Sequence, residues 1–362
     1  MRSAWSQRGQ VLIIFAILLP TLVGMAGLAI DVGTYAANRR HLQNAADAIA
    51  LAAAQELPDV DAANTVALNW AADNDIDPDE LTLRFYAVSP GVPNPKVRVI
   101  IERDHRFHFI NVLGVNSREV EGRSAAIKAS YGGSNGIVPW TVTQATVDAA
   151  GNGALVTLKY DADGGENGNF GAIRIDGPGA QTYETSVKHG STAYACAEGT
   201  PNCSPGACPG TYPESCAETA PECDGPDCTP QTGNLIGPTR DGVDHRMNGA
   251  SAQCDSFGET FSGPNDSGVY RLNPGCNPWL PGGSGGTRVI IIPVVDDFGS
   301  GASDPATITG FALVYLEGYD AGKCSGNSCE IKGRFVRADL SAKALAGVYD
   351  EDALVQFSRL SE

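Results

Sequence analysis

Two serines sit at the centre of a Gly-x-Ser-x-Gly pattern, Ser134 between Gly132 and Gly136 and Ser284 between Gly282 and Gly286. In hydrolases that spacing holds a nucleophile on a strained turn between a strand and a helix. Ser134 stands instead in the run Tyr-Gly-Gly-Ser-Asn-Gly, and Ser284 between a Pro-rich loop and an expected strand, so neither context builds the elbow. Five histidines (His41, His105, His108, His189 and His245) supply imidazoles, but no spacing pairs one with a nucleophile. No catalytic residue is assigned, and the expectation is a protein without enzyme activity.

Oxygen ligands come next. Asp73, Asp75, Asp77 and Asp79 alternate as calcium-loop ligands do, yet Pro78 stands where an EF-hand loop needs Gly and Arg84 where it needs a bidentate Glu. A solvated turn between helix and strand is the reading. Asp161, Asp163, Gly164, Asn167 and Asn169 form a second oxygen-rich stretch, read as a Gly-rich hairpin turn with a weak calcium site as the competing reading. No metal site and no cofactor are assigned.

All 10 cysteines lie in the C-terminal half: Cys196, Cys203, Cys208, Cys216, Cys223, Cys228, Cys254, Cys276, Cys324 and Cys329. Gaps such as Cys203 to Cys208 and Cys223 to Cys228 are wider than those of common zinc knuckles. An even count in a Gly/Pro-rich region reads as a disulfide framework formed in an oxidising compartment, with connectivity open. Cys324 and Cys329 bracket Ser-Gly-Asn-Ser, a turn that brings the two within bridging reach.

These side chains need a scaffold, and its first element is apolar. Val11 to Ile30 is a run of 20 residues without a charged side chain, long enough as a helix to cross the roughly 30 Å hydrocarbon layer. Arg2 and Arg8 precede it and Asp31 follows, so the positive-inside rule puts the short tail in the cytoplasm. The chain is thus expected in the cytoplasmic (inner) membrane, single-pass, with its bulk extracytoplasmic. A cleaved signal peptide ending near Gly27 and Ala29 is the rival reading, although the apolar run exceeds the usual ~7 to 15 residue core. The net charge of -17 excludes nonspecific binding to nucleic acid or to anionic lipid surfaces.

Beyond the apolar run, Leu42, Ala46, Ile49, Ala53 and Leu57 recur at steps of three and four up to Pro58, which predicts one helix running from membrane to stalk. Its Ala-rich half packs on its own domain or offers an assembly surface, and Ala16, Gly24, Gly27 and Ala29 are small residues that permit close helix approach. Ala63, Val66, Ala67 and Trp70 predict a second helix; Leu81 to Phe85, Val97 to Glu102 and Val120 to Ala129 predict strands. Phe107 to Leu113 reads as a short apolar helix or turn ended by Gly114. Further strands are expected at Ala154 to Tyr160, Ala172 to Ile175, Arg288 to Val295, Ile308 to Leu316 and Ile331 to Val336, with no helical period among them.

The expected fold class is therefore α+β, with an N-terminal transmembrane helix continuing into a long helix, a small α+β domain, and a mainly β disulfide-bearing domain. In numbers, 1–10 is a cytoplasmic tail, 11–30 the transmembrane helix, 31–130 the helical stalk and small α+β domain, and 131–136 a linker. Residues 137–362 form the extracytoplasmic β domain, with a Cys-rich insertion at 196–228.

Arg8-Gly9-Gln10, the apolar run, Asp31-Val32-Gly33 and Leu42-Gln43-Asn44-Ala45-Ala46-Asp47-Ala48-Ile49-Ala50-Leu51-Ala52-Ala53-Ala54 together resemble the N-terminal region of the TadE/TadG-like proteins of the Flp (tight adherence) pilus-assembly family. The strand, Val-Leu-Gly and strand succession between Val97 and Ala129 is similar to the next segment of such proteins. The resemblance implies an accessory envelope protein of pilus biogenesis or secretion. Its partners would be the lipid bilayer through Val11 to Ile30, other pilus-assembly or secretion proteins, and a second copy through the N-terminal helix. Processed pilin-like members carry Glu five residues after the cleavage-site Gly, whereas Gly9 is followed there by Ile14. The Asp-x-Ser-x-Ser loop of von Willebrand A-like members does not occur either. An anchored adhesin or ligand-binding module, with the Cys-rich stretch and the loop around Trp279 as contact surface, is the alternative.

Overall fold

The structure is a computed structural model that describes residues 10–89, 94–160, 171–197, 230–265, 268–280, 282–283, 285–296, 306–320, 324, 326, 329–340, 345–346, 349, 353 and 355–361. The chain divides into two compact units. The first holds the described residues within Met1–Ala87, Pro95–Ile127 and Arg359–Glu362; the second holds those within Val88–Asn94 and Lys128–Ser358.

In the first unit the apolar run and the stalk are one helix, α1 (Gln10–Glu56), which carries Pro20 inside it. α2 (Val60–Asp73) comes next, capped by the Asp59 carboxylate, which accepts the backbone N–H groups of Asp61 and Ala62 at 3.0 Å each. Ala63, Ala67 and Ala71 of α2 are buried, as are Ala45, Ala46, Ala50, Ala53 and Ala54 of α1. Two Ala-lined faces let the helix axes approach closely, and Leu42, Ile49 and Leu57 fill the remaining space. The Ala-rich half of α1 is therefore consumed by its own unit, which withdraws that stripe from any partner.

A three-stranded antiparallel ladder covers these helices: β1 (Leu81–Tyr86), β2 (Lys96–Arg106) and β3 (Ser117–Ser134), whose residues up to Ile127 belong to this unit. Val97, Val99, Ile101, Val120 and Ala126 alternate onto the helix side and are buried. β3 crosses α1 at Gly122, where an added Cβ would stand 2.5 Å from the Leu42 carbonyl oxygen, so only Gly allows strand and helix backbones to meet. The turn that carries Asp75, Asp77 and Asp79 is organised by a cation of the chain itself. Arg103 donates from Nε and Nη2 to both Glu80 carboxylate oxygens at 2.6 Å, and from Nη2 to the Asp75 carbonyl at 2.6 Å.

The second unit begins with the end of β3. It continues with β4 (Val142–Thr143), α3 (Gln144–Ala149), β5 (Leu155–Lys159), α4 (Ala180–His189), β6 (Ala195–Cys196), α5 (Ile236–Gly249), α6 (Phe257–Thr260), β7 (Phe261–Ser262) and β8 (Arg271–Leu272). Then come β9 (Val289–Val295), β10 (Ile308–Tyr319), β11 (Ile331–Val336), β12 (Ala338–Asp339), β13 (Leu345–Ala346) and β14 (Val355–Leu360), whose residues up to Ser358 belong to this unit. Its central sheet has the order β4-β9-β10-β11-β5, with β4 parallel to β9 and the other pairs antiparallel. Every residue of β9 is buried, which its unbroken Val-Ile-Ile-Ile-Pro-Val-Val run requires. Tyr183 and Val187 of α4 and Val243 of α5 pack on one face; the Trp140 indole donates to the Tyr183 hydroxyl at 2.8 Å, which lies 3.0 Å from Thr239 Oγ1. Disulfides join Cys254 to Cys276 and Cys324 to Cys329, and Cys196 is also disulfide-bonded.

The α+β character and the long N-terminal helix agree with the sequence reading, but three details differ. Residues 131–134, read as the start of a linker, are buried strand, because Tyr131 packs edge-on against Phe311 and Phe357. Ala172 to Ile175, read as a strand, makes only single bridges among the described residues, Trp140 to Ala172 and Ile173 to Pro230. Finally, α4 and α5 fall where no helical period was read. The buried face of α5 is Thr239, Gly242, Val243 and Arg246, a set without apolar periodicity; Gly242 is there because Val187 of α4 fills the space of a side chain.

Gly122→Ala is expected to lower the stability of the first unit by about 1–3 kcal/mol, the range for overpacking a close contact, as read from thermal unfolding of the detergent-solubilised chain. The Arg103 fork also makes stability depend on pH. The hydrogen bond from Arg103 holds the Glu80 carboxyl below its ordinary 4.5, against burial, with the Asp77 N–H adding to the effect. A carboxyl lowered in the folded state stabilises above its unfolded value, and that contribution fades as pH falls through the lower folded value. Melting temperature should therefore drop below about pH 4.5, and Glu80→Gln should flatten that part of the curve while lowering the plateau at neutral pH.

Candidate functional site

Among the described residues, those singled out for chemistry lie apart from one another, His189 and His245 excepted. Ser134 lies inside β3 opposite Ala195, 5% exposed, at a ladder position and not on an elbow. Ser284 falls outside the described residues, as do the Asp161, Asp163, Gly164, Asn167 and Asn169 stretch and Cys203, Cys208, Cys216, Cys223 and Cys228. The His189 and His245 rings meet edge-on at 4.8 Å between α4 and α5. Burial first, then the neighbouring charges of His189, Lys188 and Arg246, lowers the His245 pKa and favours its neutral imidazole. Among the described residues no group of three or more His, Cys, Asp or Glu side chains is placed to hold a metal ion. A shallow groove along α3 is lined by Ala145, Thr146, Ala149, Ala150 and Leu155 and carries no ionisable side chain there.

The feature that gathers sequence motifs lies on α1. From Leu12 to Val32 its large apolar side chains are exposed, with Leu12 at 72%, Phe15 at 63% and Met25 at 65%. A helix of that length and hydropathy is a candidate membrane span. The first charged residue after the run, Asp31, is fully buried. Its carboxylate accepts three consecutive backbone N–H groups, those of His108 (2.9 Å), Phe109 (2.8 Å) and Ile110 (2.6 Å), at the start of the 3-10 turn Ile110–Leu113 between β2 and β3. Orphan N–H groups at the head of a turn require acceptors, and a carboxylate with two oxygens supplies them.

Contacts above and below Asp31 continue the seam. Gly27 leaves room for the Phe109 ring, which would stand 2.6 Å from any Cβ placed there. Tyr35 packs against His105 and Phe107 at 5.7 and 6.1 Å between ring centroids, and Thr34 and Asn38 approach the His105 ring nitrogens at 3.5 Å. Further along, the Gln43 amide donates to the Arg123 carbonyl (2.8 Å) and accepts the Arg123 N–H (3.3 Å), while Asp47 receives the second Gln43 proton at 2.9 Å. The Asp31-Val32-Gly33 and Leu42-Gln43-Asn44-Ala45-Ala46-Asp47 motifs are thus docking positions for the β2–β3 hairpin. Sequence reasoning noticed the motifs and the Phe107 to Leu113 turn separately; the one signal joining them was a charge at the edge of an apolar run.

Residues 9–56 match the model of the Flp pilus-assembly TadE/G-like family, so the matched segment coincides with α1 almost end to end. No curated protein and no solved structure matches the chain.

Asp31→Ala should release the turn: amide protons of His108, Phe109 and Ile110 are expected to lose their exchange protection, and protease should cut within 107–116. Asp31→Asn, which keeps one acceptor oxygen, should give a smaller effect in the same hydrogen-exchange experiment.

Proposed function

We propose that the protein is a membrane-anchored, extracytoplasmic accessory component of Flp/Tad-type pilus assembly or secretion, with a structural and interaction role and no catalysis. The observation that carries this reading is the coincidence of the matched segment with a single helix whose first half is lipid-compatible and whose second half is built into a packed α+β unit. Arg2 and Arg8 before the apolar run favour a cytoplasmic N-terminus, and the disulfides of the second unit suit an oxidising compartment outside the inner membrane. The family name supports pilus-assembly proteins as partners. With the Ala stripe used internally, self-association would run through the exposed apolar half of α1, where Gly24 still leaves space for a neighbouring backbone.

Deletion of the chain in its native cell, with complementation, tests the reading. Loss of surface pili or of a pilus-dependent secretion step is expected, together with recovery of the intact N-terminus from washed membranes by mass spectrometry. Normal piliation would sink the proposal. Normal piliation with loss of surface binding on removal of 196–228 would put the anchored adhesin in its place, and release of a chain trimmed near Ala29 would remove the anchor.

A further inference from the structure

The tip of the β2–β3 hairpin exposes a cluster of apolar side chains in the first unit. Between Arg106 and Arg118 lie eleven residues, 107–117, without an Asp, Glu, Lys or Arg. Val112 is 84% and Leu113 82% exposed, with Phe109 at 44% and Val115 at 47%. A loop tip in water ordinarily presents polar side chains, so a cluster of this kind marks a surface that meets something apolar.

The contacts on α1 fix where that tip lies. Phe109 sits on Gly27, four residues before Asp31, and at 1.5 Å per helical residue this puts it about 6 Å into the apolar run. Amphipathic segments at a membrane surface bury their apolar side to a similar depth, roughly 5–10 Å. Backbone pairing fits the same environment. The Asp31 carboxylate takes the N–H groups of His108, Phe109 and Ile110; Phe107 donates to the Asn116 carbonyl (3.0 Å), Val112 to Phe109 (3.2 Å) and Gly114 to Asn111 (2.9 Å). Such internal pairing meets the requirement of a backbone at the edge of hydrocarbon, where water is not there to satisfy it.

We propose that the hairpin tip enters the bilayer interface beside α1, with Val112 and Leu113 among the acyl chains and Arg106 and Arg118 at headgroup level. The occupant of this apolar surface is lipid, because the tip is continuous with the exposed flank of the candidate span. This rests on α1 crossing a membrane. The tip then acts as a second, shallow anchor that sets the height and rotation of the first unit on the membrane, with Asp31 holding the two anchors together. It uses burial of apolar side chains, so the net negative charge of the chain does not oppose it.

The test uses the full chain in phosphatidylcholine vesicles whose acyl chains carry bromine either near the headgroup or near the methyl end. Leu113→Trp reports on the tip, Leu19→Trp on the middle of the span, and the emission of the parent chain, with its own four tryptophans, is subtracted. Because Leu113 is exposed, the substitution leaves the fold intact; Val112→Trp repeats the reading independently. The expected result is that the Leu113→Trp signal is quenched more by bromine near the headgroup, and the Leu19→Trp signal more by bromine near the methyl end. Quenching at Leu19→Trp with none at the tip overturns the proposal and leaves the anchor standing. A blue-shifted but bromine-insensitive tip also overturns it, since a second copy or another protein would then cover the surface. Quenching at neither position removes the anchor and the proposal together.

Discussion

A carboxylate at the end of an apolar helix run has to be hydrated or supplied with donors, and Asp31 takes the second course. Three successive N–H groups of one turn converge on its two oxygens, and the remainder of the first unit is arranged around that constraint. Once the turn is held at Asp31, the two strands that enter and leave it must run back along α1. Their contacts fall at Gly27, Asp31, Tyr35, Asn38 and Leu42, spaced four, four, three and four residues apart, which is one face of an α-helix. The same face continues into Ala45, Ala46, Ile49 and Ala53, which lie against α2 and the sheet. The packing stripe therefore crosses the end of the apolar run without a change of phase. Rotation of the apolar half about its own axis is thereby fixed by the folded half.

Much of this unit was legible in the sequence because its elements bury apolar side chains at regular spacing. The 20-residue apolar run, the Ala-rich pattern at steps of three and four, and the Gly that ends the Phe107 to Leu113 turn each carry a local signal, and each is found as read. Packing of the Ala stripe on its own domain was one of two readings, but the partner of each small residue, Gly27 included, could not be read. Small residues on a helix announce that something approaches closely, not whether it is a second helix, a strand or an aromatic ring. Here Ala63, Ala67 and Ala71 of α2 fill one stretch, the backbone of β3 at Gly122 another, and Phe109 the third. The Asp31 contact spans 77 residues of sequence, and no periodicity reports on a partner so distant.

The second unit was less legible, for a different reason. Its strands announce themselves through runs such as Val289 to Val295, but its helices and loops are fixed by polar groups in buried places. Arg246 is 7% exposed and donates to the carbonyls of Val187 and Thr287, joining α5 to α4 and to the residue two before β9; burial lowers its pKa to about 10. Arg288 spreads its guanidinium over the Tyr315 ring at 4.8 Å and donates to Leu316 and Glu317 carbonyls and to Asp255. A hydropathy pattern scores such arginines as surface. In the fold each donates to backbone carbonyls of neighbouring elements, a contribution hydropathy cannot register.

The two kinds of stabilisation bear on how each unit can change. Where a Gly crossing and a carboxylate cap hold helix to hairpin, a backbone is itself the partner, so substitution at Gly122 and Asp31 has little room to vary without loss of the join. The family match ends at residue 56, where α1 ends, and its second half contains the positions that the hairpin and α2 lean on. The second unit relies on disulfides and on long polar side chains that reach over loops, an arrangement in which loop length and sequence can drift while the β9–β10–β11 core is kept. The first unit is thereby held to one arrangement, while the second keeps room for change in the loops around its central sheet.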